Sequence, residues 1–164
     1  MKKIKVVFWA GIFLLVTVIC HAAPQAEARI APPVLFIPEW TLTIVTPNGE
    51  KQFGSVDAAA LSVLTMEATL RNSRGEENTS TYTGVRLADV LKAVGASDFS
   101  SLTIIASDDF SVSYSRDLAM ADDTLIAWEI DGAILTTDPP LRMAPKQGVG
   151  NQFVRQVVRI VVNP

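Results

Sequence analysis

The stretch Thr81–Ala96, TYTGVRLADVLKAVGA, constrains the fold more than any other part of the chain. An extended run of threonine and tyrosine meets a glycine, Gly84, and a short helix follows. Leu87, Val90, Leu91 and Val94 recur at i, i+3, i+4 and i+7, which places four apolar side chains on one helical face. Gly95 is expected to end the helix, since glycine enters the left-handed region without a steric penalty. A helix this short is not stable alone, so its apolar face must lie against other elements. The face is therefore read as core, and Gly84 as the residue that makes the turn into the helix.

The flanking sequence supplies the elements to pack against. WTLTIVTPNGEKQF reads as a hairpin with Asn48-Gly49 at its turn. Ser55 is the expected N-cap of a short helix, VDAAALSVL. MEATLRNS and TSTYTG, on either side of RGEEN, read as a second hairpin. After the central helix, SLTIIA and FSVSY are strands joined at Asp108-Asp109. TLIAWEI is a further strand, and Asp131-Gly132 turns it into AILTT. PPLRMAP precedes a long terminal strand, FVRQVVRIVV, and GVGN at 148–151 reads as a surface loop. Many short strands with two or three short helices predict an α+β domain with a dominant mixed β-sheet over 40–164. The chain has 164 residues and is 49% apolar, enough for one domain with a real core.

The N-terminus reads as a targeting segment. Lys2, Lys3 and Lys5 precede an apolar run from Val6 to Ile19, and small residues follow in CHAAPQAEA. That run is shorter than the roughly 20 apolar residues that a bilayer span needs. It fits a signal peptide over 1–28, cleaved after Ala22 or after Ala28, with residues 29–39 as an extended lead-in. Cleavage would remove Cys20 and His21, the only cysteine and the only histidine. What remains has no thiolate or imidazole. This excludes Cys/His zinc sites, a cysteine nucleophile, a Ser-His-Asp triad and any disulfide. Losing three lysines also leaves 11 basic against 17 acidic residues, about −6 in place of −3. A chain of that sign offers no footprint for nucleic acid and no polybasic patch for anionic lipid. The expected location is periplasmic or secreted, with no membrane insertion after cleavage.

Few side chains then remain for chemistry. Asp108-Asp109 and Asp122-Asp123 are acidic pairs, and neighbouring aspartates of this kind more often mark turns and helix caps than hard-cation sites. Arg71, Arg74 and Arg142 are the candidates for an anion site, because a guanidinium binds phosphate or carboxylate through two parallel hydrogen bonds. GVGN lacks the lysine and the Ser/Thr of a phosphate-binding loop. Trp40 and Trp128 are read as core residues on strands.

In order and spacing, YTGVRLADVLKAVGA, LTIIASDDFSVSYSRDLAM, TLIAWEIDGAIL and PPLRMAPKQGVGNQFVRQVVRIVV together resemble the molybdopterin-binding domain of the sulfite oxidase family. Gly84, Val85, Leu87, Val90 and Leu91 match its Gly-Val-x-Leu-x-x-Leu-Leu element. Pro139-Pro140-Leu141-Arg142 and Pro145 match a Gly-Pro-Leu-Arg-x-x-x-Pro element on the cofactor side. The resemblance implies a sulfite oxidase-like fold and makes Arg71 and Arg142 the cofactor-side candidates. It also implies a molybdenum held by a cysteine thiolate in a loop ahead of the helix. Here Leu70, Arg71 and Asn72 stand in that region and no cysteine is present, so the usual metal centre lacks its soft ligand. The resulting reading is an exported, non-catalytic module with no cofactor, binding a small molecule or an envelope protein. The alternative that the resemblance leaves open is a molybdopterin-dependent oxidoreductase with a non-cysteine metal site.

Overall fold

The computed structural model describes residues 36–164. The targeting segment expected over 1–28, with Cys20, His21 and both cleavage points, lies outside the described residues. So does the lead-in as far as residue 35.

Strands β1 (Thr41–Thr46) and β2 (Gly49–Gly54) form the first expected hairpin. Its loop is Pro47-Asn48, and Gly49, at φ +121, begins the return strand. A four-residue helix, α1 (Ser55–Ala58), follows. Ser55 lies inside it and does not cap it, contrary to expectation. Gly54 holds the N-cap position, and its amide donates to the Asp57 carboxylate at 2.8 Å. The second hairpin is longer than the sequence suggested. β3 (Val63–Arg71) begins within the stretch expected to be helical, and it pairs antiparallel with β4 (Glu77–Arg86) over nine residue pairs.

The central helix, α2 (Leu87–Ala93), buries Leu87, Val90 and Leu91 completely and Val94 almost completely. Gly95 sits at φ +73. Its amide donates to the Lys92 carbonyl at 3.0 Å, and that of Ala96 to the Leu91 carbonyl at 2.8 Å. These two bonds make a complete Schellman motif and satisfy carbonyls that the helix end would leave bare. Gly84 does not form a turn. It lies within β4, where a Cβ would stand 2.1 Å from the Ile126 carbonyl oxygen on the next strand. The glycine is there because two backbones approach too closely for any side chain.

β5 (Ser101–Ala106) and β6 (Ser111–Ser115) pair through a tight turn with Asp109 at φ +64. Ser115 then caps α3 (Arg116–Met120), its hydroxyl accepting from the Leu118 amide. β7 (Thr124–Ile130) turns at Asp131-Gly132, φ +51 and +78, into a two-residue β8 (Ala133–Ile134). Positive φ at both loop residues is the geometry that an Asp-Gly hairpin provides. Two further strands come where none was expected: β9 (Arg142–Pro145) and β10 (Gln147–Val149). A 3-10 turn, Gly150–Gln152, takes up the rest of the stretch read as a surface loop. The terminal strand, β11, is Val157–Asn163 and not the whole of FVRQVVRIVV, because Gln156 adopts φ +50 and breaks the run.

The α+β class with mixed sheets and short helices holds. The strands are divided between two sheets and do not form one dominant sheet. The first runs β2-β1-β11-β5-β6, with β1 and β11 parallel. The second runs β10-β3-β4-β7-β8, with β10 and β3 parallel and β9 beside β8 on the same edge of β7. The main core holds Leu42, Ile44, Leu102, Ile104 and Ile160 of the first sheet against Val85, Ile126 and Trp128 of the second, with α2 included. Both expected core tryptophans are there, with ring centroids 6.1 Å apart. Trp40 precedes β1 and is not on a strand. A smaller apolar cluster around Tyr82, Leu125, Ala127, Ala144 and Phe153 covers the other face of the second sheet.

Candidate functional site

The two arginines singled out by sequence lie on opposite faces of the second sheet. Leu64 pairs with Gly84, Gly84 with Ala127, and Ala127 with Arg142, one row across four strands. Side chains alternate along a strand, so in β3 the even-numbered residues share that face with Arg142. Arg71 is odd-numbered and points the other way. It lines a cleft of about 400 Å³ with Thr69, Glu77, Gln147, Val149 and Gln152. Arg74 is exposed in the β3–β4 turn.

Arg142 has the more distinctive setting. Its guanidinium carbon lies 5.9 Å from the ring centroids of both Tyr82 and Phe153, which are themselves 5.9 Å apart. A cation over two aromatic faces is attracted by their quadrupoles. Its Nε is buried and has no hydrogen-bond partner, and none of the ion pairs among the described residues includes it. A second arginine stands close, since Arg142 and Arg155 form an isolated antiparallel bridge. Burial lowers the Arg142 pKa from its ordinary value, the nearby Tyr82 opposes the shift, and the like charge of Arg155 adds to it. The Tyr82 phenol is raised, first by burial, with Arg142 and Arg155 pulling it down and the Asp131 carboxylate pushing it up. It therefore remains a neutral hydrogen-bond donor at neutral pH. Two guanidiniums and one phenol, with no carboxylate paired to Arg142 among the described residues and the nearby Asp131 carboxylate accepting from the Thr81 amide, make an environment suited to an anion.

Sequence reading did not assign site roles to Tyr82, Phe153 or Arg155. Tyr82 is one aromatic in a run of serines and threonines. Phe153 and Arg155 looked like members of a long strand. The bridge that joins Arg155 to Arg142 depends on β10 and the 3-10 turn folding away between them, which no local pattern announces.

The acidic pairs serve as turns. The Asp108 carboxylate accepts from the Phe110 amide at 3.1 Å, and the carbonyls of Asp122 and Asp123 accept from Arg86 Nε and the Lys146 amide. The region expected to replace the metal-ligand loop is the end of a hairpin. Leu70 packs on the smaller cluster. Asn72 closes the turn, its side-chain oxygen accepting from the amides of Arg74 and Glu76.

The sequence model of the oxidoreductase molybdopterin binding domain matches residues 39–164. The chain belongs to that family. A solved structure with the same fold is the sulfane dehydrogenase SoxCD from Paracoccus pantotrophus. It superimposes with a TM-score of 0.66 at 19% identity, over 76% of this chain and 38% of that one. This chain thus spans well under half the length of that relative. No curated protein matches it.

The family name implies a molybdopterin, and the residues present do not fit a thiolate-held metal. Residues 36–164 contain no cysteine or histidine. Among the described residues, no group of three His, Cys, Asp or Glu side chains converges as a ligand set. Residues 70–72, where the resemblance puts the ligand loop, lead into a hairpin turn closed by Asn72.

Proposed function

We propose that this protein is an exported, non-catalytic binding module built on the molybdopterin-binding scaffold, and that it takes a small anionic molecule at Arg142. One observation carries this reading: a half-buried guanidinium held on two rings, with a second arginine beside it and no carboxylate paired to it. A charged group removed from water at a cost is kept in proteins when a partner repays it. A phosphate or carboxylate would bridge Arg142 and Arg155 and accept from the Tyr82 phenol. Residues 36–164 offer no thiolate or imidazole, which argues against a thiolate-held redox metal beside the bound molecule. Export rests on the basic, apolar and small-residue run of 1–28. Sequencing of the protein recovered from outside the cytoplasm should find a terminus near Ala23 or Arg29, and an intact Met1 would contradict export with cleavage.

Calorimetric titration with inorganic phosphate and pyrophosphate tests the binding site. Hydrogen bonds to charged groups contribute about 1.5–3 kcal/mol, so Arg142→Ala should weaken binding by about tenfold or more. Arg71→Ala, on the other face, should leave affinity unchanged. If Arg71→Ala weakens binding and Arg142→Ala does not, the anion site belongs to the Arg71 cleft instead.

A further inference from the structure

Among the described residues β6 ends the first sheet and pairs only with β5. The Ala106 amide donates to the Phe110 carbonyl, and the Arg116 amide to the Ser100 carbonyl. Antiparallel pairs alternate between bonded and non-bonded positions, so Val112 and Tyr114 are the residues of β6 that bond to β5. Ser111 and Ser113 turn their N–H and C=O groups outward, and Ser115 its N–H. Among the described residues no backbone group bonds to those of Ser111 and Ser113. All three serines are exposed.

Among the described residues the other sheet edges are protected and this one is not. Edge strands are normally shortened, charged or bent to prevent pairing. β8 has two residues and β10 three. β2 is charged, with Glu50 bound to Arg159 at 3.4 Å and Lys51 Nζ bonded to the Val94 carbonyl. β6 has five residues, no charge, no proline and an unbroken register against β5. Its outward residues are small, and Phe110 at its start is 46% exposed.

From these features we infer that β6 accepts an extended segment of a partner protein as an added strand, and that this segment is basic at its ends. Main-chain bonds of this kind provide affinity, and the flanking charges select the partner. The flanks here are acidic. Asp109 precedes the strand, Asp117 follows it, and both are exposed. The Arg116 guanidinium is turned away to the Phe99 and Ser97 carbonyls. Asp109 and Asp117 are thus the exposed charges at the two ends of the strand. The same charges disfavour a second copy as the occupant. Two-fold pairing of all five residues would centre on Ser113 and bring the acidic ends of the two copies, Asp109 in the turn before β6 and Asp117 in α3, toward one another at both ends. Like charges brought together in this way repel.

The test uses the full-length chain and a synthetic peptide, Lys-Thr-Val-Thr-Val-Thr-Lys. Saturating peptide should slow amide exchange at Ser111 and Ser113 by about tenfold or more. Replacing both terminal lysines with glutamate should weaken binding by about fivefold, the size of two exposed ion pairs. Ser113→Pro should abolish binding with little change in melting, since proline is tolerated where an edge N–H faces outward. If that variant does not fold, Asp109→Lys with Asp117→Lys should reproduce the fivefold loss. Unchanged exchange at Ser111 and Ser113 would overturn the proposal, as would equal affinity for the lysine and glutamate peptides. So would protection of those amides that rises with protein concentration alone, because the occupant would then be a second copy.

Discussion

Gly84 shows how a residue can be noticed in the sequence for the wrong reason. It stands between an extended run and a helix, where a turn is the natural reading. In the fold it is a strand residue pressed against the backbone of Ile126 and Ala127. Gly84→Ala should therefore cost roughly 3 kcal/mol or more, the top of the usual range for overpacking. Gly132→Ala, at φ +78, meets open space and costs only its positive φ, of order 1 kcal/mol. Thermal melting of the two variants distinguishes them, and equal losses would contradict the close approach at Gly84. Gly95, by contrast, was legible, because a glycine straight after an apolar helical stripe has one common use. Arg142 was legible as a type of residue with anion chemistry. Its environment was not, because Tyr82 and Phe153 reach it from distant parts of the chain.

At the level of elements, what the sequence disclosed followed the strength of the local signal. α2 and the strands β1, β5, β6 and β7 carry an unbroken apolar stripe or a β-branched run. β9 and β10 carry neither. Pro145 and Gly148 interrupt them, and β10 exists only because β3 gives it a partner. One tie between elements has a measurable consequence. Tyr114 of β6 is fully buried, and its hydroxyl donates to the Gln152 carbonyl of the 3-10 turn. Burial raises its pKa well above the ordinary value of 10.0. The folded chain therefore keeps a proton that the unfolded chain releases. Stability is full below about pH 10 and falls as the pH rises beyond it. Tyr114→Phe removes the titrating group, so its melting temperature should drop less between about pH 9 and pH 11 than that of the parent. Equal drops would mean that the phenol is not held neutral by the fold.

Residues 36–164 form the family scaffold and contain no cysteine or histidine. Two mixed sheets and α2 enclose the main core, and the family match covers nearly all of the described chain. The fold class and the family were both accessible from the order of short elements along the sequence. The division into two sheets was not, because the two strand sets interleave along the chain: β1 and β2, then β3 and β4, then β5 and β6, then β7 to β10, then β11. If the scaffold serves binding without a metal, elemental analysis of the purified protein, combined with pterin fluorescence after oxidation, should find no stoichiometric molybdenum and no pterin. About one molybdenum per chain, the stoichiometry of a single-site metal centre, with matching pterin would contradict that reading.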